Sequence, residues 1–259
     1  MTPKDPRFAL RLARDSDDLK AAQRLRYRVF VQELGGDGAL VDHDARLERD
    51  EFDAHCDHLV LIDQGRDAAT LDHVVGVYRL LSSAGAARIG RFYTAREYDL
   101  TPLLASGRNL LELGRSCVDA EYRGGKAMYY LWGGLADYVA EHGIEILFGV
   151  ASFHGTDITT LAEPLSLLHH RHLAPKPLRV RANADHFQRM DLMPEDRIDR
   201  PRARRATPAL IKAYLRLGGF VGEGAYIDHA FNTTDVCLIL DTATMSARQR
   251  DLYTKGRGA

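Results

Sequence analysis

The 259-residue chain lacks most of the features that would commit it to a special class. Its three cysteines, Cys56, Cys117 and Cys237, are widely spaced and never form C-x-x-C, which excludes a disulfide scaffold and a zinc ribbon. The longest apolar runs, such as residues 146–152, fall far short of the ~20 residues that a membrane span needs. Residues 1–8 carry Lys4, Asp5 and two prolines where a secretory signal would be apolar. Charge of one sign is not in excess: 35 Lys+Arg against 36 Asp+Glu leave −1, which argues against nucleic-acid binding by bulk charge. No G-x-S-x-G, G-x-G-x-x-G or Walker sequence occurs, so serine-hydrolase, dinucleotide and P-loop chemistry lose their usual signatures. His169, His170 and His172 are not spaced as H-E-x-x-H and have no cysteine nearby, and no metal site is expected. A soluble, reduced, cytoplasmic protein is the expectation.

What is present is a chain that is 45% hydrophobic, long enough for a large core, with no repeat and no linker, read as one domain over 1–259. Residues 8–13 alternate like a strand. Asp15 then stands as an N-cap before Leu19, Ala22, Leu25 and Val29 at helical spacing. Residues 58–62 and 74–81 read as a hairpin and residues 110–118 as another strand. A long helix carries Met128, Leu131, Trp132, Leu135 and Val139 and stops at Gly143; Gly133 and Gly134 inside it imply close packing. Residues 144–153 form an almost wholly apolar strand. Beyond lie a helix near 160–172, an extended stretch at 175–182, an irregular arginine-rich stretch at 197–205, a short helix with Thr207 as N-cap and Pro208 first, and a strand at 236–240. Alternating strands and helices predict an α/β fold with a mixed sheet.

The near-zero total charge conceals a separation. Residues 33–57 hold nine acidic side chains against Arg46 and Arg49, a net of −7, and residues 197–216 hold six arginines and Lys212 against Asp199, a net of +6. Within Leu111-Glu112-Leu113-Gly114-Arg115-Ser116, strict alternation puts Glu112 and Arg115 on opposite faces, whereas a bulge at Gly114 would bring them together. Arg79 sits inside an apolar strand and needs a carboxylate, for which Asp50, Glu51 and Asp53 are candidates. The turn Tyr122-Arg123-Gly124-Gly125-Lys126-Ala127, opening the long helix, has the makings of a phosphate cradle.

Arg26 with Phe30, Asp50-Glu51-Phe52-Asp53, Arg79 in Tyr78-Arg79-Leu80-Leu81, and Glu112 with Arg115 resemble the pattern of acyl-homoserine-lactone synthases, which belong to the GNAT acyltransferase superfamily. The second half is more similar to the ornithine N-acyltransferases of ornithine-lipid synthesis. That similarity lies in Leu131-Trp132-Gly133-Gly134, Ala151-Ser152-Phe153-His154-Gly155-Thr156-Asp157, Leu168-His169-His170, residues 210–218 and Phe231-Asn232-Thr233-Thr234-Asp235-Val236.

The resemblance implies a GNAT fold, a mixed central sheet flanked by helices with an elaborated C-terminal half. It also implies transfer of a 3-hydroxy fatty acyl group from acyl carrier protein to the α-amine of ornithine, giving lyso-ornithine lipid, with no permanently bound cofactor. Glu112 is then the expected base and Arg115 its orienter, with Arg79 clamping a substrate carboxylate. Asp50, Asp53, Arg26 and Phe30 complete the substrate site. Arg123, Gly124, Gly125 and Lys126 are the donor-binding turn. Coenzyme-A-dependent relatives carry Arg/Gln-x-x-Gly-x-Gly/Ala there, and Lys126 and Met128 replace the last two small residues. That departure favours the 4′-phosphopantetheine arm of acyl carrier protein, with Arg202, Arg204, Arg205 and Lys212 as its docking patch. Glutamine as acceptor, or a non-catalytic protein that binds acyl carrier protein or membrane, are the rival readings. The helix at 208–217, apolar on one side, is first read as packed on the core, and is one candidate for peripheral contact with the inner membrane.

Overall fold

A computed structural model describes residues 7–229, 231–246 and 249. Contacts gather in two units: residues up to Ile89 with Leu113–Gly143, and Gly90–Glu112 with the described residues from Ile144 onward.

In the first unit, β1 (Phe8–Leu12) leads to Asp15, whose carboxylate accepts from the N–H groups of Asp17 and Asp18 at 3.0 and 2.9 Å and starts α1 (Ser16–Arg26). Of the stripe read from the sequence, Ala22, Leu25 and Val29 pack, joined by Ala21, against Val60, Val74, Val77 and Cys117, while Leu19 stays half-buried outside this cluster. A fully buried leucine such as Leu25 contributes about 1.5–3 kcal/mol. After Arg26 the helix widens to a π turn, Tyr27–Glu33, which apolar spacing did not announce. Strands β2 (Asp57–Asp63) and β3 (Val74–Ser82) form the expected antiparallel hairpin, with β1 on the outer side of β2 and β4 (Leu110–Val118) beside β3. Helix α2 (Ala127–Glu141) covers this sheet. A Cβ at Gly134 would lie 2.3 Å from Leu10 Cδ2 and 3.3 Å from Leu59 Cδ1, so the close approach inferred from the glycine pair is real at Gly134.

In the second unit, residues 110–112 of β4 pair in parallel with β5 (Ile146–His154), Glu112 opposite Phe148. β5 runs antiparallel to β7 (Thr233–Asp241) over nine residues, and β7 pairs in turn with β6 (Ala225–Asp228). Parallel and antiparallel pairing flanked by helices is the mixed α/β architecture expected. Asp157 caps α3 (Ile158–His172).

Three local readings are corrected here. Residues 197–205 are not irregular: from Arg200 on they belong to α4 (Arg200–Ala206), capped by Asp199 at the N–H of Arg202. Only Ala203 of that helix is buried, so no apolar stripe gave it away. Thr207 does not cap the next helix, since its N–H and hydroxyl both return to the Ala203 carbonyl and close α4. α5 (Ala209–Arg216) begins from Pro208 instead. Residues 175–182 hold a 3₁₀ turn, Lys176–Leu178, before a two-residue strand, Arg181–Ala182, that pairs with Tyr98–Asp99. α5 buries Ile211, Ala213 and Tyr214. Among the described residues, no helix is long and apolar enough to cross a membrane.

Candidate active site

Five of the seven acceptor-side and catalytic candidates fall in one cluster of the first unit. Arg26, wholly buried at the end of α1, donates from Nε to Glu48 at 2.5 Å and from Nη1 to Asp53 at 2.7 Å. Arg115 on β4 reaches Glu48 at 3.1 Å and Asp50 at 3.0 Å. Arg79 on β3 closes the circuit with Asp50 at 2.5 Å and Asp53 at 3.1 Å. Three guanidiniums and three carboxylates thus alternate in a closed ring, each with two partners of opposite sign. Gln23 and His58 support Asp53, through its Oδ2 and its carbonyl oxygen, at 2.9 and 3.0 Å.

Burial pushes the Asp53 carboxyl up, but Arg26 and Arg79 outweigh it and hold the group well below the usual carboxylate range. Burial works the same way on Asp50 and Glu48, and their arginines again win. His58 is pushed down by burial.

Arg79 therefore has the carboxylate partners its strand demanded, two of the three candidates named from the sequence. The same geometry corrects the roles given to Asp50 and Asp53: with Glu48 they balance three arginines, and no net negative charge is left for a cationic acceptor. Arg79 Nη1 is shared by two aspartates. Phe30 sits partly buried against the core of this unit. The backbone irregularity expected at Gly114 appears one residue later, where Arg115 adopts φ +49°, a left-handed conformation uncommon for a residue with a Cβ. A Cβ at Gly114 would meet only ordinary contacts at 3.7 Å.

Glu112 lies in the second unit, 3% exposed. Its carboxylate accepts from the N–H groups of Tyr93 and Thr94 at 2.7 and 2.6 Å and from the Thr94 hydroxyl at 2.5 Å. Three donors stabilise the ionised carboxylate and occupy both oxygens, an arrangement suited to fixing the Tyr93–Arg96 turn and poorly suited to collecting a proton.

At the donor turn, Gly124 has φ +75° and open space where a Cβ would sit, so glycine is needed there for its backbone. Lys126 is the cap residue of α2 and makes no side-chain capping bond, leaving the first-turn N–H groups of a 15-residue helix without a side-chain acceptor there. Arg123 bonds the Val118 carbonyl at 2.9 Å and Glu33 at 2.7 Å. In the basic block, Arg202 is held by Glu163, while Arg204 and Arg205 are exposed and Lys212 is half-buried. His170 bonds the Met193 carbonyl at 2.9 Å.

Glu48 of the ring and Asp235 are buried carboxyls that no pattern in the sequence had singled out. Asp235, the third residue of β7 and 4% exposed, has an Oδ1 with no hydrogen-bond partner among the described residues. The signal that singled out Arg79, a charge inside an apolar strand, was equally present in Thr234-Asp235-Val236-Cys237.

Residues 25–133 match the family described as Acetyltransferase (GNAT) domain. The chain is 62% identical over 254 residues to an L-ornithine N(alpha)-acyltransferase of Rhodobacter capsulatus, with 97% of each chain covered. It is 42% identical to an L-ornithine N(alpha)-acyltransferase of Brucella abortus, over 94% of this chain and 88% of that one. Among solved structures, the AHL synthase LasI is similar at TM-score 0.51 and 15% identity, over 97% of this chain and 96% of that one, a likeness of fold. The protein is an acyltransferase enzyme, and with that identity over 97% of its length the chain belongs to the L-ornithine N(alpha)-acyltransferase family.

Proposed function

We propose that the protein transfers a 3-hydroxy fatty acyl group from acyl carrier protein to the α-amine of ornithine, releasing lyso-ornithine lipid. The observation that carries this reading is the 62% identity to the Rhodobacter capsulatus relative along 97% of both chains. The α-amine is mostly protonated at neutral pH, so the ammonium first gives one proton to water and then attacks as the neutral amine. A C–N bond forms at the thioester carbon, the C–S bond breaks, and the pantetheine thiolate leaves and takes up the proton that the amine gives up.

The donor turn supports a carrier-protein donor. Gly124 and the uncapped start of α2 offer backbone N–H groups to the single phosphate of a pantetheine arm, with Lys126 beside them, in place of the longer glycine cradle that a pyrophosphate needs. Exposed Arg204 and Arg205 are the part of the basic block best suited to an acidic carrier surface. Glu112 is assigned to positioning the Tyr93–Arg96 turn, with the proton of the amine leaving by another route.

The test is incubation of the purified protein with 3-hydroxyacyl carrier protein and a mixture of amino acids, with products read by mass. N-(3-hydroxyacyl)ornithine is the expected product. N-acylglutamine would change the acceptor, and no N-acyl product from an active donor would favour a non-catalytic binding protein.

A further inference from the structure

The strand register fixes what surrounds Asp235. It stands opposite Ser152 on β5 and Tyr226 on β6, and alternation puts Thr233 and Asp228 on the same face. Ser152 is exposed, and Tyr226 and Asp228 are half-buried, so the residues bordering the carboxyl on this face are polar and reach solvent. Residues 92–98 lie against the same sheet. Phe92 packs edge-on to Phe148 with ring centroids 5.0 Å apart, Glu112 holds the N–H groups of Tyr93 and Thr94, and the Tyr98 hydroxyl lies 2.9 Å from the carbonyl oxygens of both Gly224 and Asp235.

Asp235 Oδ2 accepts from the Thr233 hydroxyl at 3.2 Å, Oδ1 from nothing, and no lysine, arginine or histidine among the described residues pairs with the group. Burial pushes this carboxyl up to about 6, Asp228 adds to the rise, and the hydroxyls of Ser152 and Thr233 work against it. Above about pH 6 the side chain is therefore mainly an anion without a counter-charge, a costly state unless a charged donor arrives. A primary ammonium supplies both the N–H and the charge, and the hydroxyls of Ser152, Thr233 and Tyr226 can take its remaining protons. In the first unit Glu48, Asp50 and Asp53 are already balanced by the three arginines of the ring.

Resting on the ornithine reading and deepening it, we propose that Asp235 receives the side-chain ammonium of the acceptor, so that this carboxyl selects a diamino acid over a neutral one.

The test compares L-ornithine with L-norvaline, the same amino acid without the side-chain amine, as acceptors for wild type, Asp235→Asn and Ser152→Lys. Ser152→Lys places a tethered ammonium opposite Asp235 from an exposed position. In wild type the ratio of kcat/KM for ornithine to that for norvaline should be on the order of 10- to 100-fold, the size of one hydrogen bond to a charged group. Both variants should bring it near 1, with the KM for the acyl donor unchanged. Asp235→Asn removes an unpaired buried charge at constant shape, so its melting temperature should not fall.

A wild-type ratio retained in both variants overturns the proposal and leaves the ornithine function standing. Should wild type acylate L-lysine in place of ornithine, and Asp235→Asn lose that preference over norleucine, the ornithine reading falls and the proposal stands.

Discussion

Asp53→Asn removes one charge from the arginine–carboxylate ring and keeps its outline. Two guanidiniums, Arg26 at 0% and Arg79 at 3% exposure, each lose one of their two anionic partners. Removing a partner from a buried ion pair costs about 3–5 kcal/mol, and the second carboxylate left to each arginine places this case near 3 kcal/mol. For a chain of this size that is a fall in melting temperature of roughly 6–12 °C. Fluorescence of Trp132, the single tryptophan and a residue of α2 in the same unit, reports the transition.

The pH dependence has a definite sign. Because the folded Asp53 carboxyl is held below its unfolded value, its contribution is full above the unfolded pKa of about 3.9 and is lost as pH falls further. The gap between wild type and variant should be constant from pH 8 to 5 and narrow below about pH 4. A gap under ~1 kcal/mol at pH 7, or one that persists undiminished at pH 3, would show that the charge of Asp53 does not hold this part of the fold together.

Glu112→Gln should lower turnover and melting temperature together while leaving the pH profile of kcat/KM in place. A displaced acid limb with unchanged stability would return Glu112 to the role of base. Charge reversal at Arg204 and Arg205 should raise the KM for the carrier-protein donor several-fold and leave that for ornithine unchanged, as measured by steady-state kinetics at two salt concentrations. Gly134→Val should destabilise the first unit by about 1–3 kcal/mol in urea unfolding, because its first side-chain carbon already overlaps Leu10.

Periodicity and capping chemistry located most of the long elements because each rests on local rules. Asp15 caps where an acid before an apolar stripe should, and β4 spans the residues that its pattern marked. The π turn after Arg26 and the helix at Arg200–Ala206 were hidden for opposite reasons. The first interrupts a helical period without a proline or glycine to mark it, and the second has almost no apolar face. At the site, the demand of Arg79 for a carboxylate was legible, because an unpaired charge in an apolar strand is costly wherever it occurs. That Asp50 and Asp53 would be fully engaged by Arg26, Arg79 and Arg115 was not, since residues from α1, a loop, β3 and β4 meet only in three dimensions. The three donors on Glu112 come from a segment that starts nineteen residues earlier and carries no motif.

The ring also changes what a visitor to the first unit would feel. A closed circuit of alternating charges has no monopole and almost no dipole, so its field dies within a few ångströms, well inside the ~8 Å Debye length of physiological salt. Glu48, Asp50 and Asp53 count among the nine acids of residues 33–57, yet at a distance they are electrically silent. An acidic protein can approach this unit without repulsion from its most acidic stretch being anywhere near as strong as a count of side chains implies.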